Sequence, residues 1–194
     1  AAVLDIGSND GTLLKMWPED SVRVGYDPSF HDAHQGALTL VQEAFPSRTV
    51  PAAFHPKVIT SCAMFYDLDE PQAFVNDIAK VLAPDGIWIN EFNYLGAMVK
   101  NHAYDMIGHE HLCYYRLSDM TTLAAVAGLE VVHAETNAMN GGSLRVVVKD
   151  RGSLTRDGTV EALLQKEGET NLEGLWGMDT WVEECEQQIT RLIL

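Results

Sequence analysis

Short apolar runs recur along the first part of the chain. The runs at 1–7, 22–27 and 56–65 are rich in Val, Ile, Leu and Ala, and a fourth run at 86–94 begins on the turn residues 84–86. Nearly continuous apolar runs are typical of strands that are buried on both faces. The pattern therefore predicts a parallel sheet that is covered by helices.

Two segments have apolar positions at helical spacing. In segment 71–84 the apolar side chains recur every three or four residues, and Pro71 stands where the first turn of a helix tolerates proline. In segment 118–129 we predict Ser118 as the N-cap and Gly128 as the residue that stops the helix.

Two strand-like segments, 129–137 and 143–150, follow the second helix and flank a short loop that contains glycine. This arrangement is typical of an antiparallel hairpin. Alternating strands and helices followed by a hairpin predict an α/β fold, a three-layer α/β/α sandwich whose mixed sheet is antiparallel at one edge.

The last part of the chain differs from this pattern. Residues 151–158 are polar, and residues 159–194 have a helical pattern. We expect one domain at 1–150, followed by a linker and helical segment at 151–194 with few partners in this chain, which docks beyond it or in an oligomer. Because an apolar strand begins at once without an initiating Met, we also expect a longer protein around this chain.

Composition limits the partners. The formal net charge is −15, from 28 acidic and 13 basic residues, and there is no Lys/Arg-rich run. These features argue against nucleic acid and acidic membranes as partners, but not against a small-molecule ligand. Cys62, Cys113 and Cys185 are far apart, which is typical of a reduced cytoplasmic protein. No apolar run approaches the roughly 18–20 residues that span a bilayer.

The first strand leads into a loop with its own carboxylates. Asp5 stands at the strand end, followed by Gly7, Asn9, Asp10 and Gly11. Glycines allow a sharp turn and a close approach of ligand to backbone. The spacing differs from the G-x-G-x-x-G of dinucleotide folds, whose loop receives a pyrophosphate. An acidic loop favours a zwitterionic ligand such as S-adenosyl-L-methionine, although a plain strand–helix turn is the alternative.

Two further residues fit a nucleoside ligand. Asp27 closes the second strand, where a carboxylate can accept hydrogen bonds from both ribose hydroxyls. Phe45 follows the apolar run Leu-Thr-Leu-Val and can pack on an adenine face, with a place in the core as the competing interpretation.

With these motifs the chain resembles the class I S-adenosyl-L-methionine-dependent methyltransferases, whose sheet is Rossmann-like. The segments LDIGSNDGTLL, AMFYDLDEPQAFV, VLAPDGIWINEFNYLG, HEHLCYY and NGGSLRV stand in the order and rough spacing of one branch. That branch contains the carbon-methyltransferases that act on nucleotide-linked 4-keto deoxysugars. The resemblance covers about residues 1–150. It implies a cysteine-rich zinc-binding segment before this domain and a Rossmann-like domain after it.

The resemblance implies S-adenosyl-L-methionine as the cofactor. The candidate cofactor-binding residues are Asp5, Gly7, Ser8, Asn9, Gly11, Asp27, Pro28, Phe45 and Ala63.

The segment His109-Glu110-His111 allows three interpretations. In an extended segment both histidines project to one side, which is a known metal-ligand geometry that still needs further ligands. Both histidines can instead have a purely structural role in a tight corner. The third interpretation is acid–base chemistry, because the pKa of histidine suits removal of a proton next to a ketone. We favour this third interpretation and predict no metal.

In the related enzymes a Y-H-E-H run carries the proposed base on its second histidine. The resemblance implies His111 as the base and Glu110 as the residue that orients it, but Gly108 stands where the family has its tyrosine. Tyr66, Tyr114 or Tyr115 can replace the missing hydroxyl. Asp67 also stands where some sugar-methylating members have a histidine. The catalytic candidates are therefore His111, Glu110, Tyr66 and Tyr114.

The acceptor side completes the prediction. The substrate-binding candidates lie beside the base, after the fourth strand and in the hairpin loop; they are His109, Asn93, Tyr94, Asn140 and Ser143. The sequence thus predicts a carbon-methyltransferase that acts next to the ketone of a small-molecule acceptor. The resemblance implies a nucleotide-linked 4-keto deoxysugar as that acceptor. A homo-oligomer is a further expectation. The alternatives are another acceptor atom (oxygen, nitrogen or a non-sugar carbon), a non-catalytic nucleoside-binding module, and an oxidoreductase.

Overall fold

A mixed sheet forms the centre of the computed structural model, which describes residues 1–29, 33–46, 53–153, 156–170 and 178–193. The strands are β1 (Ala2–Ile6), β2 (Val22–Tyr26), β3 (Ala33–Gln35), β4 (Leu38–Val41), β5 (Val58–Cys62), β6 (Ile87–Asn93), β7 (Leu129–Asn137) and β8 (Ser143–Asp150). Their order across the sheet is β3-β4-β2-β1-β5-β6-β8-β7. The neighbours from β4 to β6 run parallel, and β3, β8 and β7 pair in antiparallel fashion.

Helices cover both faces of this sheet. They are α1 (Thr12–Lys15), α2 (Pro71–Val81), α3 (Leu95–Asn101), α4 (Leu117–Val126), α5 (Thr159–Glu169) and α6 (Met178–Ile193). Leu14 of α1 packs with Val3 on one face, whereas Ile78 of α2 and Met120 of α4 pack with Trp88 on the other. The predicted Rossmann-like three-layer sandwich with an antiparallel C-terminal hairpin is therefore confirmed. Among the described residues, no helix is long and apolar enough to cross a bilayer.

Helix α4 begins two residues earlier than the predicted N-cap implies. Its N-cap is Arg116 rather than Ser118. The Asp119 carboxylate accepts a hydrogen bond from the backbone N–H of Arg116 at 2.9 Å and two more from its guanidinium. Asp119 is the third residue of the helix, and its side chain thus accepts from the N-cap backbone, as the third residue of a capping box does. Gly128 does follow the helix, with φ at +79°.

The C-terminal segment has partners in this chain, contrary to the expectation. Glu167 of α5 is buried, and its carboxylate accepts hydrogen bonds from the backbone N–H groups of Leu117 (2.6 Å) and Ser118 (3.0 Å). Trp181 of α6 is buried beside α3, and its indole N–H donates to the Val99 carbonyl at 3.0 Å. Residues 171–177 lie outside the described residues.

Candidate active site

The loop after β1 lies at the carboxyl edge of the parallel strands. The backbone N–H groups of Gly7 and Ser8 both donate to the Tyr26 carbonyl at the end of β2, at 2.8 and 3.2 Å. Gly7 and Gly11 have φ values of +74° and +73°, a region that side chains rarely adopt. A Cβ atom on Gly7 would stand 3.1 Å from Met64 Cγ, so a side chain here would also crowd Met64. Open α/β sheets bind ligands at this edge.

Asp27 is tied to the same loop. Its carboxylate accepts a hydrogen bond from the Asn9 backbone N–H at 2.9 Å and two more from the backbone and hydroxyl of Ser29. Partial burial opposes ionisation, but these hydrogen bonds lower the pKa of Asp27. A carboxylate has about four acceptor positions, so capacity remains for a ligand hydroxyl. Pro28 follows on the exposed surface, and the Ser8 hydroxyl is buried without a hydrogen-bond partner among the described residues.

Asp5 is the buried acid of this loop. The pKa of Asp5 is raised from its usual 3.8 to about 6, mainly by burial and also by the charge of the Asp27 carboxylate. A hydrogen bond from Thr60 Oγ1 at 2.5 Å acts in the opposite direction and lowers the pKa. Asp5 therefore gains a proton more readily in the folded chain than in the unfolded chain. The stability that this proton contributes is fully present below about pH 4 and is lost as the pH rises through about 6.

We expect Asp5→Asn to raise the free energy of unfolding at pH 7 by about 2 kcal/mol, because the amide is neutral and keeps an acceptor for Thr60. The difference from the unsubstituted chain should vanish near pH 4. Urea denaturation at both pH values measures it. Asp20→Asn, at an exposed carboxylate, is the control and should stay within about 0.5 kcal/mol. A gain that is equal at both pH values would contradict the assignment.

The two remaining cofactor candidates lie in different places, one at the carboxyl edge and one in the core. Ala63 follows β5 at the same carboxyl edge; it is exposed, with φ at +54° and its N–H bonded to the Glu91 carbonyl. Phe45 instead lies in the core, 8% exposed, with its ring centroid 6.2 Å from that of Tyr26 and 5.7 Å from that of Phe74. This packing favours the core interpretation of Phe45 over adenine stacking.

His111 is half-buried, and its ring is fixed by the backbone. Nδ1 lies 2.8 Å from the Met106 carbonyl oxygen, in the short helical turn Tyr104–Met106. Since a carbonyl only accepts, Nδ1 carries the proton and donates, and Nε2 of the neutral ring keeps its lone pair. The ring centroid lies 4.4 Å from that of Tyr66. The ring is therefore oriented with its basic nitrogen free of this hydrogen bond.

In the structure Glu110 contacts His109, whereas the prediction pairs it with His111. Its carboxylate lies 3.3 Å from Nδ1 of His109, and both side chains are largely exposed. The Met106 carbonyl has the orienting position instead. The His109 side chain itself is 93% exposed. Among the described residues, no group of three or more His, Cys, Asp and Glu side chains is arranged to hold a metal ion.

Of the three tyrosines considered for the missing hydroxyl, Tyr66 lies nearest His111. The Tyr114 ring centroid is 6.4 Å from that of His111, whereas Tyr115 is a core residue that packs on Phe65 at 5.0 Å. Burial and the neighbouring Asp67 carboxylate raise the pKa of Tyr66, which keeps its hydroxyl protonated. Burial also raises the pKa of Asp67, and the nearby His111 opposes that shift.

The predicted substrate residues lie around the end of β6 and the hairpin loop. Asn93 ends β6 and pairs with Ser143, and Asn140 is exposed in the loop with φ at +49°. The Ser143 hydroxyl donates to the Met139 carbonyl at 3.0 Å, within its own loop. Burial raises the pKa of Tyr94, as do the charge of Glu167 and a hydrogen bond to it. Tyr94 therefore has a structural partner that the sequence did not indicate.

Two positioning groups were missed by the sequence reasoning. The Met106 carbonyl is backbone and leaves no signal in residue types. Glu167 does leave one, since it is an acidic residue among the apolar positions of an amphipathic helix, but its partners are far away in sequence. A cavity of about 1120 Å³ adjoins Tyr94 between α3, α5 and the hairpin loop, and Lys100 and Lys166 line it.

Comparisons with known proteins agree with this geometry. Residues 1–134 match a protein-family model described as a methyltransferase domain. C-methyltransferase NovU from Streptomyces niveus is 31% identical over 158 residues, which cover 74% of this chain and 36% of NovU. The chain thus spans little more than a third of the length of that curated relative.

Solved structures share the fold at low identity. A chain from the complex of a Haloferax volcanii methyltransferase activator with a putative methyltransferase aligns with a TM-score of 0.63 at 16% identity, over 77% of this chain and 83% of that chain. LepI in complex with SAM aligns with a TM-score of 0.59 at 13% identity, over 78% of this chain and 43% of that chain. The third structure is the neocarzinostatin O-methyltransferase NcsB1 in complex with SAM and a naphthoic acid. It aligns with a TM-score of 0.54 at 20% identity, over 77% of this chain and 48% of that chain.

Proposed function

The chain belongs to the methyltransferase-domain family of class I, S-adenosyl-L-methionine-dependent enzymes, and from that premise we propose that it methylates a carbon next to a ketone. Membership in this family also makes it an enzyme rather than a non-catalytic nucleoside-binding module. The proposed acceptor is a nucleotide-linked 4-keto deoxysugar. Residues 1–150 would form the catalytic domain of a longer protein.

The orientation of His111 is the observation that carries the proposal. A carbon next to a ketone becomes nucleophilic only when it loses a proton, so the site needs a base of moderate pKa. When the His111 ring is neutral and donates from Nδ1 to the Met106 carbonyl, its Nε2 lone pair is available for that proton. Tyr66 lies against the same ring with a protonated hydroxyl, which suits a hydrogen-bond donor for the acceptor. Removal of the proton leaves an enolate on the acceptor.

The loop after β1 fits S-adenosyl-L-methionine, which supplies an electrophilic methyl group when bound. The features that fit it are the left-handed glycine turn at Gly7, the unpartnered Ser8 hydroxyl and the spare acceptor capacity of Asp27. In this proposal Asp27 accepts hydrogen bonds from the ribose, and the backbone of the 5–11 loop encloses the amino-acid part. The surrounding residues hold the reacting groups in place and exclude water.

Three observations support the sugar acceptor. The motifs beyond the first loop follow the order of the deoxysugar branch, and the relative NovU is named a C-methyltransferase. The cavity beside Tyr94 has Lys100 and Lys166 in its lining, two donors for phosphate oxygens, together with the carboxylates of Asp105 and Glu169. Gly108, in place of the tyrosine of that branch, favours a second candidate, an acceptor other than these sugars.

Isotope labelling tests the proposal. We expect a thymidine-diphosphate-linked 4-keto-6-deoxyhexose to gain solvent deuterium next to the ketone without the methyl donor, because the enolate forms first. With ¹³C-methyl-labelled donor, the label should appear on that carbon in an NMR spectrum of the product. A label on oxygen or nitrogen, or labelling of only non-sugar ketones, would overturn the sugar C-methylation proposal and support the second candidate.

A further inference from the structure

Asn93 is a buried amide without a hydrogen-bond partner. Asn93 is only 6% exposed, and neither its Nδ2 nor its Oδ1 has a hydrogen-bond partner among the described residues. An unpaired polar group in the interior is destabilising, so this buried amide needs an explanation. Asn90, on the same strand, shows the ordinary arrangement, since its Oδ1 accepts from the Ser61 hydroxyl at 2.9 Å.

The position of Asn93 indicates what its partner is. It is the last residue of β6, opposite Ser143 at the start of β8, and therefore stands at the carboxyl edge. The next residue, Tyr94, forms a bridge with Tyr115, four residues after His111. The backbone thus joins the orphaned amide to the segment that carries the proposed base.

We propose that the Asn93 amide recognises an α-hydroxy ketone on the acceptor. An amide presents a donor and an acceptor side by side. Its Nδ2–H donates to the ketone oxygen, and its Oδ1 accepts from the hydroxyl on the neighbouring carbon. This inference rests on the proposed function and names the acceptor group that the site selects.

The same contact assists the proton transfer. When the C–H bond next to the ketone breaks, the proton goes to Nε2 of His111, and the electron pair forms the carbon–carbon double bond of the enolate. The carbonyl π electrons move to the oxygen, which becomes negative. A donor aimed at that oxygen is stronger for the enolate than for the ketone, so it lowers the barrier.

Asn93→Leu and Asn90→Leu separate ligand recognition from a structural role. Replacing an unpaired buried amide with an apolar side chain of similar size removes an unpaired polar group. We therefore expect Asn93→Leu to melt at the same temperature as the unsubstituted chain or above it. Asn90→Leu breaks the bond with Ser61 and should melt at least about 3 °C lower. An equal fall in melting temperature in both variants would overturn the inference, because Asn93 would then have a structural partner such as a fixed water.

Ligand recognition is read from the Asn side-chain amide signals in a ¹H–¹⁵N NMR spectrum, each assigned by its loss in the corresponding Leu variant. In the complex with S-adenosylhomocysteine, hydroxyacetone should shift the Asn93 signals more than acetone does, and the Asn90 signals should stay in place. An unchanged Asn93 signal would overturn the inference.

Methyl transfer to the thymidine-diphosphate-linked 4-keto-6-deoxyhexose completes the test. We expect kcat/KM of Asn93→Leu to fall about 100-fold, as for loss of one oxyanion donor. A rate within threefold of the unsubstituted chain would contradict the inference. If the unsubstituted chain transfers no methyl group but hydroxyacetone shifts the Asn93 signals, the proposed function fails and the inference stands.

Discussion

Replacing His111 with alanine is expected to lower the rate of methyl transfer by about 10²–10⁴-fold, the usual contribution of a general base. The acceptor would still meet Tyr66, but no group would take its proton. The loop after β1 is separate in sequence and keeps its bonds to Tyr26 and Asp27, so binding of S-adenosylhomocysteine should be unchanged. Single-turnover kinetics and calorimetry measure the two quantities.

His55 offers a matched control for this substitution. Its Nδ1 also lies near a backbone carbonyl, that of Val81 at 3.2 Å, but it precedes β5 at the opposite end of the strand. His55→Ala should therefore keep the full rate. Normal deuterium incorporation into the ketone by the His111→Ala variant would show that another group removes the proton.

Replacing Glu167 with alanine should lower the free energy of unfolding by about 3 kcal/mol, the largest stability effect that we expect in this chain. The carboxylate accepts from two backbone N–H groups in the first turn of α4 and has a hydrogen bond with Tyr94. Those donors lose a partner in a buried place, and α4 also loses a negative charge at its positive end. Urea denaturation measures the loss.

Glu169→Ala is the control, because Glu169 is on the same helix, is exposed, and bonds to the Gln165 side chain at 3.0 Å. Its effect should stay within about 0.5 kcal/mol. Glu167→Gln keeps one acceptor and should fall between the two. Equal effects of Glu167→Ala and Glu169→Ala would show that the buried contacts of Glu167 do not stabilise the chain.

The hydrophobic pattern predicted the sheet well where the local sequence decides the structure. The strands at 129–137 and 143–150 are found with the predicted bounds, because apolar content and a glycine loop both define a hairpin. The start of α4 was missed because a tertiary contact decides it: the backbone N–H of Ser118 is taken by Glu167 of a helix 49 residues away. Local capping rules do not contain that information.

In the candidate site, too, the local sequence indicated some features, whereas others depend on tertiary contacts. Glycines and carboxylates at strand ends indicated the loop around Asp5 and Asp27, because the carboxyl ends of parallel strands meet at one edge. The sequence also picked out His111, and the family resemblance implied Glu110 as the residue that orients it. The Met106 carbonyl has that role in the structure, and a backbone group leaves no mark on residue identity. The orphaned state of Asn93 depends on what surrounds it in three dimensions.

Glu167 joins three parts of the chain that are far apart in sequence: the residue after β6, the start of α4 and α5 itself. Tyr94 is the next residue after Asn93, so the hydrogen bond that fastens α5 also holds the backbone beside the proposed acceptor edge. Free-energy coupling between such linked places is reciprocal. We therefore expect that ordering α5 makes ordering of the proposed acceptor edge less costly, and the reverse.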